Sequence, residues 1–235
     1  MLRESVELVA RRLEPSDQLL DVGGWYAPFA RADWVIDLMP HATRGPSSAP
    51  GAERFTADTW VERDICDREP WPFADDQFDF AICSHTLEDV RDPVWVCAEL
   101  NRVARAGYLE VPSRLQEQAW GVNGEWVGWS HHRWLIDVGT DSLEFVFKPH
   151  VIHARPAYQL PAPLGSALNE RERVQILFWD GGFGYRERIF YDHAEFDGYL
   201  SSLVKDRREE LESSLPRASR RRRLGGALAA RRRGR

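Results

Sequence analysis

Asp21, Asp37 and Asp64 each stand in or just after a short apolar run, and the pair Ser84-His85 closes a fourth. Acids and polar groups at the carboxyl ends of successive strands are where parallel α/β proteins gather their ligand contacts. In Leu19-Leu20-Asp21-Val22-Gly23-Gly24 the run ends in a tight turn, and Gly23 and Gly24 let a backbone approach a ligand that a side chain would exclude. Asp37 can accept hydrogen bonds from both hydroxyls of a ribose, the task of an acid about twenty residues beyond the first turn of dinucleotide folds. Each residue also has a plainer use. Asp21 and Asp37 can cap turns, Asp64 can belong to a solvated acidic face with Glu62 and Asp67, and Ser84-His85 can open a helix.

Catalytic work has four candidates: His85, His131, His132 and Glu110. A neutral imidazole at His131 or His132 can take a proton from an attacking hydroxyl or amine. Glu110 ends a strand and can act as a base or orient a substrate; its plainer reading is a salt bridge to Arg114 or Arg133. No metal is expected. His150 and His153 face opposite sides if they lie on a strand, and the adjacent His131 and His132 point apart if extended. A metal drawing on His131 or His132 with Glu110 is the lesser alternative.

These residues need a scaffold. The spacing of Leu2, Val6, Val9, Ala10 and Leu13 predicts a helix, a lid or packing element, which Pro15-Ser16-Asp17 breaks. Strands are expected at 18–22, 34–38, 61–65, 78–83 and 108–111, and residues 41–54 read as a mobile surface loop. Asp92 followed by Pro93 is a good helix opening, and that helix runs to about Ala104 before Gly107 stops it. Strand, helix and strand in this order form a parallel crossover. Past Pro112 the chain is rich in tryptophan. Trp120 and Trp134 are expected in a buried wall, and Trp126 and Trp129 at a flexible rim able to stack on a sugar or an aromatic acceptor. Residues 174–192 read as β structure, with Asp180-Gly181-Gly182 as a hairpin signal. Helix is expected again at 194–213.

At 235 residues with 43% hydrophobic content, the chain can fill a real core. No apolar run reaches the roughly 18 residues of a membrane span, and the charged, amphipathic N-terminal stretch is unlike a secretory leader. Cys66, Cys83 and Cys97 sit at unrelated spacings that suit neither a zinc ribbon nor a disulfide framework, so a reducing cytoplasm is expected. Charge is unevenly spread. Residues 217–235 hold nine arginines and no acid, leaving 22 basic residues against 37 acidic ones before them. Such a tail is expected to stay disordered, and it could hold RNA or an anionic membrane surface. Its plainer reading is a solvated extension over acidic protein surface. The acidic body argues against nucleic acid as the main substrate.

The stretches WPFADDQFDFAICSHTLEDVRDP and ELNRVARAGYLEVP, with LLDVGG before them, resemble the class I S-adenosylmethionine-dependent methyltransferases, in particular the methyltransferase type 11 group, over roughly residues 17–112. The resemblance implies a Rossmann-like, doubly wound, mostly parallel sheet with S-adenosyl-L-methionine as cofactor. It further implies that Asp21 and the backbone of Gly23 and Gly24 face the methionine ammonium, and that Asp37, with Leu38 beside it, holds the ribose. Asp64 would meet the adenine amino group, the Ile65 backbone the adenine edge, and Ser84 and His85 the sulfonium. The first motif departs from the family: Pro28 and the short spacing to Asp37 leave room for a turn where a full helix is usual. A cationic sulfur needs no helix dipole, which serves an anion.

The expected organisation is one methyltransferase-like domain over 1–195, with 1–112 as cofactor half and 113–195 completing the sheet and forming the acceptor side. A helix over 196–216 and the tail 217–235 follow. The expected reaction is methyl transfer to an oxygen or nitrogen of a small molecule, a sugar or secondary metabolite being candidates. Two alternatives are a binding protein that has lost turnover and an RNA methyltransferase aided by the arginine tail.

Overall fold

The computed structural model describes residues 1–48 and 51–214, so the arginine-rich segment 217–235 lies outside the described residues. The chain divides into two units. The first comprises 1–114, 131–148 and 173–189, and the second 115–130, 149–172 and the residues from 190 onward. The segment 113–195, expected to form one acceptor side, is therefore shared between them.

The first unit is built on a six-stranded sheet. In chain order its strands are β1 (Leu19–Val22), β2 (Trp34–Asp37), β3 (Trp60–Glu62), β4 (Phe80–Ser84) and β5 (Ala106–Pro112). After β6 (Trp134–Val138) and β7 (Ser142–Phe147) comes β8 (Val174–Asp180), and then β9 (Gly184–Glu187). The large sheet runs β3-β2-β1-β4-β5-β8, parallel except for β8 against β5, and β6-β7-β9 form a second, three-stranded sheet. The order reverses between β1 and β4. That switch point is where an open α/β sheet leaves a crevice beyond its strand ends.

Alternation sorts the large sheet into two faces. Leu20, Val22, Ile36, Ala81, Cys83, Leu109 and Val111 pack on one face with Val96, Cys97, Leu100 and Val103 of helix α2 (Pro93–Val103; α1 is Arg3–Ala10). Leu19, Val35, Phe80, Ile82 and Tyr108 pack on the other with Val9 of α1. The Asp92 side chain caps α2 by accepting from the Trp95 N–H at 3.1 Å, as the Asp-Pro opening predicts. The expected N-terminal helix is thus a packing element. The same alternation sends Asp21, Asp37, Ser84 and Glu110 to the α1 face, and Ser84 lies in register with Glu110.

Three expectations change. The third strand ends at Glu62, so Asp64 and Ile65 lie beyond it. The Gly181-Gly182 turn does not close a hairpin: β8 before it pairs with β5, and β9 after it pairs with β7 of the other sheet. Seven residues of β5 need a partner at the sheet edge, and β8 supplies it along that whole length. The described part of the 41–54 loop is tied down, Gly45 N–H to Trp25 O at 2.8 Å and Ser48 N–H to Pro28 O at 2.8 Å.

The second unit is mostly short helical turns plus a final helix, His193–Ser214. Leu115, Ala119, Leu160, Leu164 and Leu168 form its core, and the Gln118 amide donates to the carbonyls of Tyr158 and Leu200. His150–His153 is a 3-10 helix where a strand is expected, so the argument from opposite strand faces does not apply to it. Trp120 is 37% exposed, contrary to its expected place in a buried wall, and Trp126 is 50% exposed. Among the described residues no helix is long and apolar enough to cross a membrane.

Candidate functional site

The turn between β1 and β2 holds itself shut with the two acids that the sequence marks. The Asp21 carboxylate accepts the Phe29 N–H at 2.8 Å. One oxygen of Asp37 accepts the Trp25 N–H at 2.9 Å and the other the Met39 N–H at 2.8 Å. These bonds do for the shortened loop what a helix would otherwise do: they satisfy buried N–H groups. A carboxylate oxygen has two lone pairs, so each Asp37 oxygen can still accept a ribose hydroxyl. Burial raises both carboxyls, Asp21 to about 7 despite the Phe29 bond and with Asp37 nearby adding to it, and Asp37 above the ordinary carboxylate range despite its amide donors.

The glycines have internal reasons to be glycine. Gly23 has φ +75°, and a Cβ there would lie 2.2 Å from Thr86 Oγ1; a Cβ on Gly24 would lie 2.6 Å from an Asp21 oxygen. Close approach therefore occurs first with the protein's own side chains. Leu38 follows Asp37 and is exposed.

Asp64 sits just past β3, where Arg91 donates to one oxygen and the Cys66 N–H to the other. Burial acts to raise this carboxyl, but the Arg91 and Cys66 bonds prevail and hold it low. The Ile65 carbonyl accepts the Trp71 indole N–H at 3.2 Å. Both oxygens of Asp64 are thus engaged within the protein, and an adenine amino group would have to share them.

Beyond β4 no helix begins, which removes the helix-opening reading of Ser84-His85. The chain turns instead through His85 at φ +54°. Its N–H donates to the Glu110 carbonyl at 2.8 Å, its Nε2 lies 3.1 Å from Glu110 Oε1, and its Nδ1 lies 3.3 Å from Glu88 Oε1. Burial works against the imidazolium, but these two carboxylates outweigh it and push the ring up to about 9. At neutral pH His85 carries its proton. A ring that holds its proton has no lone pair with which to take another.

Glu110 is unsuited to that role for a complementary reason. It is fully buried and accepts from His85, from the Tyr108 hydroxyl and from the Leu2 N–H at 3.0 Å and 3.2 Å. Burial would raise it, yet the His85 and Tyr108 bonds hold it down at about 2. A carboxylate this stabilised is a poor proton acceptor near pH 7. Its partners are His85, Tyr108, the Leu2 N–H and the Met1 ammonium at 3.5 Å, and not the expected arginines; Arg114 pairs with Asp137 at 3.3 Å.

Glu88 is the residue that sequence reasoning passed over. It is 1% exposed, and its Oε2 is buried without a hydrogen-bond partner, as is Ser84 Oγ. The available signal was its place three residues after His85 in Ser-His-Thr-Leu-Glu, an acid beside the buried Leu87. An orphaned carboxylate oxygen is costly, and a cation is the partner that relieves it best. Asp21, Asp37, Glu88 and Glu110 against one imidazolium make the strand tips an acidic site. That donor set fits a ligand carrying a sulfonium and an ammonium.

His131 and His132 do not point apart. A bend at His131 brings the two rings edge to face with centroids 4.7 Å apart, and both Nε2 atoms approach Asp89 Oδ1, at 3.8 Å and 3.7 Å. Cys66, Cys83 and Cys97 are buried free thiols.

Residues 35–109 match the family model described as a methyltransferase domain. No curated protein matches the chain. Among solved structures it is similar to the YcgJ protein of Bacillus subtilis, with 18% identity over 48% of this chain and 52% of that one and a TM-score of 0.35. It is also similar to an S-adenosylmethionine-dependent methyltransferase of Mesorhizobium loti, with 17% identity over 61% and 64% of the two chains and a TM-score of 0.35. The chain spans between half and two thirds of the length of these structures. The family match lies across β2 to β5, the strands that carry Asp37, Ser84 and Glu110, so this part of the first unit is similar to a methyltransferase domain.

Proposed function

We propose that the protein transfers the methyl group of S-adenosylmethionine to an oxygen or nitrogen of a small molecule. The observation that carries this reading is the set of acids at the β1, β2 and β5 tips, together with the unpartnered Ser84 Oγ at the β4 tip and the unpartnered Oε2 of Glu88, whose other oxygen meets His85. When bound, the cofactor supplies an electrophilic methyl on a cationic sulfur. Ser84 and Glu88 would face that cation, Asp21 with the Gly23 and Gly24 backbone the ammonium, and Asp37 the ribose hydroxyls. Asp64 and Ile65 would border the adenine, with Asp64 remaining paired to Arg91.

Methyl transfer needs the nucleophile, the methyl carbon and the leaving sulfur in line, and alignment alone can supply a large part of the rate. His85 acts in this scheme as a fixed cation that holds Glu88 and Glu110 in place. Proton removal from the acceptor falls to His131 or His132, or to solvent when the acceptor is already a neutral amine. The acidic tips favour a neutral or cationic acceptor over a phosphorylated one.

The test is incubation with isotopically methyl-labelled cofactor and a panel of hydroxyl and amine compounds, read by mass spectrometry. Labelled methyl on one acceptor class supports the reading. Cofactor binding without labelled product across oxygen and nitrogen acceptors overturns the transferase reading in favour of a binding protein.

A further inference from the structure

We propose that Asp89, His131 and His132 form a binding site for a divalent first-row transition ion, with zinc the ion it suits best. One carboxylate oxygen and two imidazole nitrogens lie within 4.8 Å of one another, and each Nε2 is 3.7–3.8 Å from Asp89 Oδ1. Ligand atoms about 2.0–2.1 Å from a tetrahedral zinc stand roughly 3.3 Å apart, so the two carboxylate–imidazole distances need to contract by about half an ångström, with the rings turning to bring their nitrogens to the same spacing.

The arrangement is held from both sides. The Glu88 carbonyl accepts the Arg133 N–H at 2.7 Å and the Trp134 N–H at 3.3 Å, and the Val90 carbonyl accepts the Trp134 indole N–H at 2.8 Å. These bonds join the residues flanking Asp89 to those following His132. The buried Trp134 anchors the second segment in the core. Pinning both segments fixes which way Asp89 and the two rings can face, and the entropy of gathering three ligands is largely met by folding. Two histidines and one carboxylate leave at least one coordination position open, the pattern of a catalytic rather than a structural zinc. That position takes an oxygen donor.

Resting on the methyltransferase reading, the open position assigns the acceptor class: a compound with a hydroxyl that the ion can hold and acidify. With the ion bound, His131 and His132 would serve as its ligands instead of as bases, and the ion would lower the hydroxyl's hold on its proton, a task His85 and Glu110 cannot perform. Asp89 directly follows Glu88 in the chain, which places the ion's carboxylate ligand next to the acidic cluster.

The experiment is calorimetric titration of untagged, chelator-treated full-length protein with zinc chloride, with demethylated cofactor titrated into separate samples. One zinc per chain is expected, and Asp89→Ala, His131→Ala and His132→Ala should each weaken it by more than the roughly 10–100-fold that outer-shell changes cost. His150→Ala, outside the cluster, should leave it unchanged. Should a variant misfold by circular dichroism, X-ray absorption on wild-type protein with one zinc must show two imidazole nitrogens and a carboxylate oxygen. Absence of stoichiometric zinc, equal affinity in the three folded variants, or sulfur ligation overturns the site. Zinc binding without cofactor binding keeps the metal site and sinks the methyltransferase reading; cofactor binding without zinc does the reverse.

Discussion

His85 and Glu110 form a closed pair at the ends of β4 and β5, joined twice: ring Nε2 to carboxylate Oε1 at 3.1 Å and backbone N–H to backbone carbonyl at 2.8 Å. The double link fixes a positive φ at His85 and spends both groups on structure. Glu110→Ala is expected to destabilise the protein by about 3 kcal/mol, the low end for breaking a buried ion pair, because His85 is 40% exposed and can shed its proton. Urea unfolding measures the loss.

The same pair sets a pH window. The Glu110 carboxyl falls from 4.5 to about 2 on folding, so its contribution is present above 4.5 and lost as pH drops through 2. The His85 ring rises from 6.5 to about 9, so its contribution is full below 6.5 and lost as pH climbs through 9. Thermal melts of His85→Gln should show less loss of stability than wild type between pH 6.5 and 9. Parallel curves would contradict the pairing.

Gly23→Ala should be costly twice over. The φ of +75° disfavours any side chain, and the new methyl would overlap Thr86. Together these amount to about 2–4 kcal/mol. Adding Thr86→Ala removes the Oγ1 and Cγ2 overlaps but keeps Cβ 2.8 Å from the new methyl, so it should recover most of the overlap part and leave the backbone part, which unfolding of the double variant resolves.

Asp21 gives a proton-linked binding signature. Its folded carboxyl is raised from 3.8 to about 7 by burial, so its contribution to stability is full below 3.8 and lost as pH rises through 7. A bound ammonium favours the carboxylate, releases the proton and repays that loss. Cofactor affinity should therefore climb as pH goes from 6 to 8, and Asp21→Asn should flatten the dependence. A wild-type affinity independent of pH over that range would exclude Asp21 from the ammonium contact.

Much of the scaffold was legible in the sequence because its signals are local. Apolar runs ending near an acid gave β1 and β2, the run closed by Ser84-His85 gave β4, and the Asp92-Pro93 pair gave the start of α2. What escaped was long-range. No spacing rule says that residues on the two sides of Gly181-Gly182 belong to different sheets, since β5 and β7 each had an open edge to fill. The proton state of His85 depends on Glu88 and Glu110, three and twenty-five residues away, and cannot be read from a lone histidine. The bend at His131 likewise overrides the alternation expected of an extended pair.

The central claim is that the acidic strand tips of the first unit hold S-adenosylmethionine with Asp37 on its ribose. Calorimetric titration of wild type and Asp37→Ala with the cofactor tests it most directly. Saturable one-to-one binding that weakens at least about tenfold in a folded variant is the predicted result, about 1.4 kcal/mol or more for the lost ribose contacts. Absence of binding to wild type, or equal affinity in the two proteins, contradicts the account.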